Sequence, residues 1–179
     1  TRVDASQLIE KGRENVLLQS NQFNTTWTAP NTNLASGQSD PNGGSTAWLV
    51  TETNDGGSIR QSVGISGVLT FSMYLKYNSG TTPQASLFCT DNNQNASFNF
   101  TTGLVSSTNN VIDANMVGVG GGWYRCSVTF NASAASTMIL FPNNSAGFGS
   151  CFAWKAQLES SLVATPYIET GATTAQAGI

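Results

Sequence analysis

The stretch GGGWYRCSVTF at 120–130 decides the fold. A run of glycines supplies a turn, and an alternating segment follows it at once. Side chains alternate across a strand, so Tyr124, Cys126, Val128 and Phe130 share one face. Trp123, Arg125, Ser127 and Thr129 share the other. The first set is a core face. The second places an aromatic ring beside a cation on the outside of a sheet.

The same alternation recurs on either side. Segment 68–77 (VLTFSMYLKY) puts Phe71, Met73 and Leu75 inward and Ser72, Tyr74 and Lys76 outward. In 45–51, Ala47 and Leu49 are assigned inward, which leaves Trp48 outward. Further strands are expected at 14–19, 58–63, 85–90, 96–102, 136–141, 151–158 and 165–169. The pair 85–90 and 96–102 closes at Asp91, Asn92 and Asn93, and 54–57 (NDGG) is a turn. Segments 20–44 and 103–115 read as polar loops, the first anchored by Phe23 and Trp27. Trp154 shares a phase with Phe152 and Leu158 and is assigned to the core. Many short strands with no helical period predict an all-β antiparallel sandwich, a jelly roll. Residues 1–13 read as a lead-in segment, 14–170 as the module and 171–179 as a C-terminal linker.

Composition narrows the function. Only 9% of the 179 residues are charged, against about 25% in an average globular chain. The polar surface must then come from Asn, Ser, Thr, Gln and Gly. A net charge of -3 and no basic run argue against nucleic acid. No apolar run approaches the ~20 residues of a membrane span, so no membrane insertion is expected. Histidine is absent, which removes the usual triads and most zinc sites. Cys89, Cys126 and Cys151 lack metal spacing and read as buried free thiols.

Five segments, in this order, resemble a known group: ENVLLQSNQF (14–23), SIRQSV (58–63), LTFSMYLK (69–76), GGWYRCSVTF (121–130) and FAWKAQLESSLVATPYIET (152–170). The matching positions include Asn15, Leu17, Phe23, Gln61, Val63 and 122–125. They continue at 156–159, Tyr167, Ile168 and Thr170. The group is the jelly-roll modules of the carbohydrate-binding-module type, with galactose-binding or concanavalin-like architecture. These modules occur in bacteriophage tail, fibre and head-appendage proteins, in bacterial surface proteins and in glycoside hydrolases. The resemblance implies a non-catalytic adhesion module, on a virion surface or extracellular, whose partner is a glycan or polysaccharide. It equally admits a structural spacer that contacts other virion proteins, or an accessory module of a secreted hydrolase.

The candidate site is an outer-face sugar platform, since pyranose rings stack on aromatics and hydroxyls pair with cations and amides. Trp123 and Arg125 would sit beside Tyr74 and Lys76, with Arg60 joining from a third strand and Trp48 either a separate exposed contact or partly buried under the 20–44 loop. The rival role for Trp123 and Arg125 is scaffold, with the arginine on a backbone carbonyl. The carboxylates lie in loops or at strand ends and do not suggest the cleft pair of a glycosidase. No cofactor is expected. The resemblance allows a structural calcium, for which Glu14, Asn21, Gln157 and Glu159 are the nearest oxygen donors by position.

Overall fold

The alternation read from the sequence becomes two antiparallel sheets packed face to face. The computed structural model describes residues 2–3, 9–10, 12–133, 136–143 and 147–177. In chain order the strands begin with β1 (Arg2–Val3), β2 (Ile9–Glu10), β3 (Glu14–Asn15), β4 (Thr32–Gln38) and β5 (Ala47–Glu52). They continue with β6 (Ile59–Val63), β7 (Gly67–Ser79), β8 (Gln84–Cys89), β9 (Gln94–Asn99) and β10 (Leu104–Asn109). The last are β11 (Asp113–Gly120), β12 (Trp123–Ala132), β13 (Ser136–Phe141), β14 (Ser150–Glu159) and β15 (Ala175–Gln176). One sheet runs β11-β12-β7-β14-β5-β4, and the other runs β10-β9-β8-β13-β6. Among the described residues no helix is long and apolar enough to cross a membrane.

The core lies between the sheets. From the six-stranded sheet come Leu69, Phe71, Met73, Leu75, Val128 and Phe130, all fully buried. Ala85, Leu87, Phe98, Met138 and Leu140 meet them from the other sheet, also fully buried. Each large apolar side chain so enclosed stabilises the fold by roughly 1.5–3 kcal/mol. The three cysteines are free and buried, and burial pushes the Cys126 and Cys151 thiols well up.

The opening stretch folds as its residues require. Gly120, Gly121 and Gly122 have φ of +95°, +61° and +79°. Three successive left-handed residues are open only to glycine without strain. They reverse the chain from β11 into β12, whose Cys126, Val128 and Phe130 point into the core.

Five sequence-based expectations need correction. Segment 20–44 contains β4, and 103–115 contains β10 and the start of β11. These are edge strands with polar, largely exposed side chains. They are held by backbone pairing, which leaves no alternation to read. Segment 165–169 is no strand but part of a strap across the outer face of the six-stranded sheet. The hydroxyl of Thr70 donates to Ser161 O (2.8 Å) and that of Thr129 to Leu162 O (3.3 Å). Trp48 points inward: it is 5% exposed and packs edge-on to Phe23 at 6.2 Å. Along 47–50 all four residues are apolar, so alternation alone could not set the phase. Trp154 and Leu158 lie on opposite faces, because Lys155 has φ +52° at a bulge in β14. The extra residue reverses the phase. Trp154 thus belongs to a second, smaller cluster outside the sandwich core.

Several polar residues that carried the family resemblance turn out to be clasps. The Asn15 amide donates to Ala156 O and Ile168 O and accepts from Leu17 and Leu158 N–H. Gln61 brackets Leu18 in the same way, donating to its carbonyl and accepting from its N–H. Thr170 and Tyr167 both bond Ser20. The described tail is tied in as well, with β15 pairing to β3.

Candidate functional site

Register places Arg125, Tyr74 and Trp154 side by side on the outer face of the six-stranded sheet. Trp123, Phe152 and Ala47 complete the patch. Tyr74 meets Trp154 edge-on at 5.3 Å, and Trp123 lies 6.3 Å from Phe152. The Arg125 guanidinium sits 5.5 Å from the Tyr74 ring centre. Lys155 Nζ covers the Trp154 ring at 3.8 Å. Lys76 is half-buried and runs beside the glycine turn, 3.6 Å from where a Cβ on Gly122 would fall.

This patch is largely closed on itself. Trp123 is 4% exposed and Trp154 3%. The Trp154 indole N–H donates to the Thr46 hydroxyl at 2.7 Å. Arg125 Nη2 donates to Thr165 O and to Ser72 Oγ, fastening the strap. Thr46 is itself held by Asp40, which also accepts from the N–H groups of Asn42 and Gly44. Burial raises the Asp40 carboxyl, but these bonds together outweigh it and leave the pKa below its ordinary value.

Of the expected platform, the structure brings Trp123, Arg125, Tyr74 and Lys76 together. Trp48 is in the core. Arg60 lies on β6, the edge of the opposite sheet, and cannot join them. Its strand phase was read correctly, but phase does not report which sheet a strand enters.

The outer face of the five-stranded sheet carries a groove of about 470 Å³. Register sets Ile139, Phe88 and Asn95 in one row, and Phe141, Ser86 and Ser97 in the next. Phe88 and Phe141 are half-buried and pack edge-to-face at 5.9 Å. Asn93, Asn95 and Ser86 line the groove beside them, with Glu52 and Asp55 at its rim. Desolvation pushes the Glu52 carboxyl up, against hydrogen bonds from Gly149 N–H and Asn143. The sequence reading missed this groove. Its signal was present: Phe88 falls in the polar phase of ASLFC, just as Trp123 does in its own strand.

The oxygen donors named for calcium do not form a cation shell. Gln157 Nε2 donates to Glu159 (2.7 Å), and Glu159 also accepts from Thr165 N–H and hydroxyl. Asn21 Oδ1 accepts from Lys155 N–H. Among the described residues no group of three His, Cys, Asp or Glu is placed to hold a metal.

No protein-family model matches the chain, and no curated protein matches it. Solved structures do. The CBM22-1 xylan-binding domain of Paenibacillus barcinonensis Xyn10C aligns with a TM-score of 0.53 at 16% identity, covering 87% of this chain and 100% of that one. The CBM22-1–GH10 modules of Clostridium thermocellum endo-1,4-beta-D-xylanase 10B, complexed with xylohexaose, align at 0.53 and 11% identity. That match covers 89% of this chain and 30% of the longer one. The enzymatically active domain of bacteriophage CBA120 tailspike protein 4 aligns at 0.46 and 17% identity, covering 80% of this chain and 21% of that one. At these identities the two higher-scoring likenesses establish the fold, an all-β jelly-roll sandwich.

Proposed function

We propose that this chain is a non-catalytic carbohydrate-binding module that seats a neutral glycan in the groove over the five-stranded sheet. The observation that carries the reading is the half-buried Phe88–Phe141 pair, set among the amides of Asn93 and Asn95 and the Ser86 hydroxyl. Aromatic faces take the apolar side of a sugar ring, and uncharged donors and acceptors take its hydroxyls. The shared fold with modules that bind xylan supports this choice of ligand class. Trp123 and Arg125 then hold the sheet and strap, while Tyr74 and Lys76 are the outer-face residues with surface left for a second contact. The sequence resemblance to virion modules supports adhesion at a particle surface or in an extracellular protein as the task.

The test is a glycan array followed by calorimetry on the isolated chain, Phe88→Ala and Phe141→Ala. Binding of a neutral oligosaccharide that both substitutions weaken is the expected result. The reading fails if no array glycan binds, or if both variants bind like the parent. Release of new reducing ends from the bound glycan would overturn the non-catalytic part.

One observation favours a second reading, contact with another virion protein. Val117, Val119, Leu162 and Val163 are 41–63% exposed along the β11 side of the six-stranded sheet, and clustered exposed apolar residues mark protein contacts. Cross-linking in the parent assembly should then recover peptides from this side.

A further inference from the structure

A larger groove lies elsewhere, at the β6 edge. It has a volume of about 920 Å³ and is walled by Val16, Leu18, Val63 and Ile65. Hydroxyls of Thr26, Thr28 and Ser66 interleave with these apolar groups. Its charged residues are Arg60 and Glu14. Among the described residues the Arg60 side chain has one hydrogen-bond partner, the Ser58 hydroxyl at 2.7 Å from Nη2. Its Nε–H is buried and has no acceptor. Arginine ordinarily fills its fork with a carboxylate, two parallel N–H···O bonds from Nε and Nη. A buried N–H left without an acceptor is destabilising. An adjoining pocket shares Glu14, Val16 and Ser160 with the groove and adds Arg13, an exposed second guanidinium.

We infer that this groove binds a carboxylate-bearing sugar, a uronic acid residue within an oligosaccharide, with Arg60 as the carboxylate-reading residue. The sugar's apolar face lies on the valine and leucine wall, and its hydroxyls meet the threonines. After rotation of the side chain, the carboxylate supplies the acceptor that the Nε edge lacks. A groove of this size falls within the range of small-molecule sites, about 300–1,000 Å³. The inference does not depend on the Phe88 groove, which lies on another part of the sheet and is lined by a different set of residues.

The probes are tetragalacturonate and a neutral galactose tetrasaccharide, titrated by calorimetry into the whole chain at two salt concentrations. With the other groove disabled by Phe88→Ala, the chain should bind the uronide more tightly than the neutral sugar, and the difference should shrink as salt rises. Arg60→Gln should weaken the uronide about tenfold or more, while Phe88→Ala leaves it unchanged. Should Arg60→Gln not fold, Ser66→Trp fills the groove from an exposed loop position and should block the uronide equally. Equal binding of the two sugars by Phe88→Ala, in which the neutral-glycan groove no longer contributes, overturns the inference. So does uronide affinity untouched by Arg60→Gln or, where that variant does not fold, by Ser66→Trp. Loss of uronide binding in Phe88→Ala also overturns it, by moving the acid-reading site to the other groove.

Discussion

The two outward faces of the sandwich carry the same kinds of residue and use them differently. On the six-stranded sheet, Trp123, Tyr74, Phe152 and Trp154 pack on one another, Lys155 caps a ring, and Arg125 ties down the strap. On the five-stranded sheet, Phe88 and Phe141 form a pair of half-buried rings in an open groove, beside amides and a serine hydroxyl. An aromatic residue in the outward phase of a strand is therefore an incomplete signal for a binding platform. What separates the faces is how far the rings are covered: Trp123 and Trp154 are buried, whereas Phe88 and Phe141 are half-exposed. The Trp154 N–H and Arg125 Nη2 have acceptors within the chain, and Trp123 and Trp154 are almost fully covered, so the six-stranded face behaves as a second small core.

That contrast breaks most sharply at Trp154. Replacing a ring that is 3% exposed with alanine should destabilise the chain by about 3–5 kcal/mol, read by denaturant unfolding. Glycan affinity of the folded fraction should stay within about twofold. A mild stability loss with collapsed affinity would exchange the roles of the two faces. Phe88→Ala should do the reverse. A stacked ring contributes about 1–3 kcal/mol, so affinity should fall by about five- to a hundredfold, with a smaller change in the unfolding midpoint than Trp154→Ala causes.

Arg125 tests whether the six-stranded face is closed by its strap. Its guanidinium donates to Thr165 O and Ser72 Oγ, and hydrogen bonds from charged groups contribute about 1.5–3 kcal/mol. Arg125→Met should therefore speed amide exchange through 160–168 while leaving exchange in β8 and β13 unchanged. Uniform acceleration over both sheets would mean that the strap and sandwich open together.

The sequence exposed the sandwich because apolar side chains alternate with polar or amphipathic ones along β7 and β12. It concealed β4, β10 and β11, whose polar or small side chains serve an edge and whose order comes from backbone pairing. The phase at Trp154 was lost to a bulge at Lys155, a conformation that lysine does not announce. The familiar segments were informative about scaffold: Asn15, Gln61, Arg125 and Thr170 all bind backbone groups of distant segments. The groove residues Phe88 and Phe141 lie outside those segments. Recognition from wording thus pointed to the fold, whereas the open Phe88–Phe141 groove emerges only from pairing and register.

The rim of the open groove offers the smallest and most specific effect. Glu52 is 8% exposed, and desolvation holds its folded-state pKa above the ordinary 4.5 despite the Gly149 and Asn143 hydrogen bonds. A carboxyl raised on folding contributes stability that is fully present below its unfolded pKa. That contribution is lost as pH rises through the folded-state value. The native state therefore resists ionisation of this carboxyl more than the unfolded chain does. Glu52→Gln keeps an acceptor for Gly149 N–H and removes the charge. Its Tm should exceed the parent's by on the order of 1–3 °C at pH 7, and the difference should shrink as pH falls through the carboxylate range. A difference that does not change with pH would show that the gain comes from packing. Because the groove is proposed to read neutral hydroxyls, the same substitution should leave neutral-glycan affinity within about twofold, whereas Phe88→Ala does not.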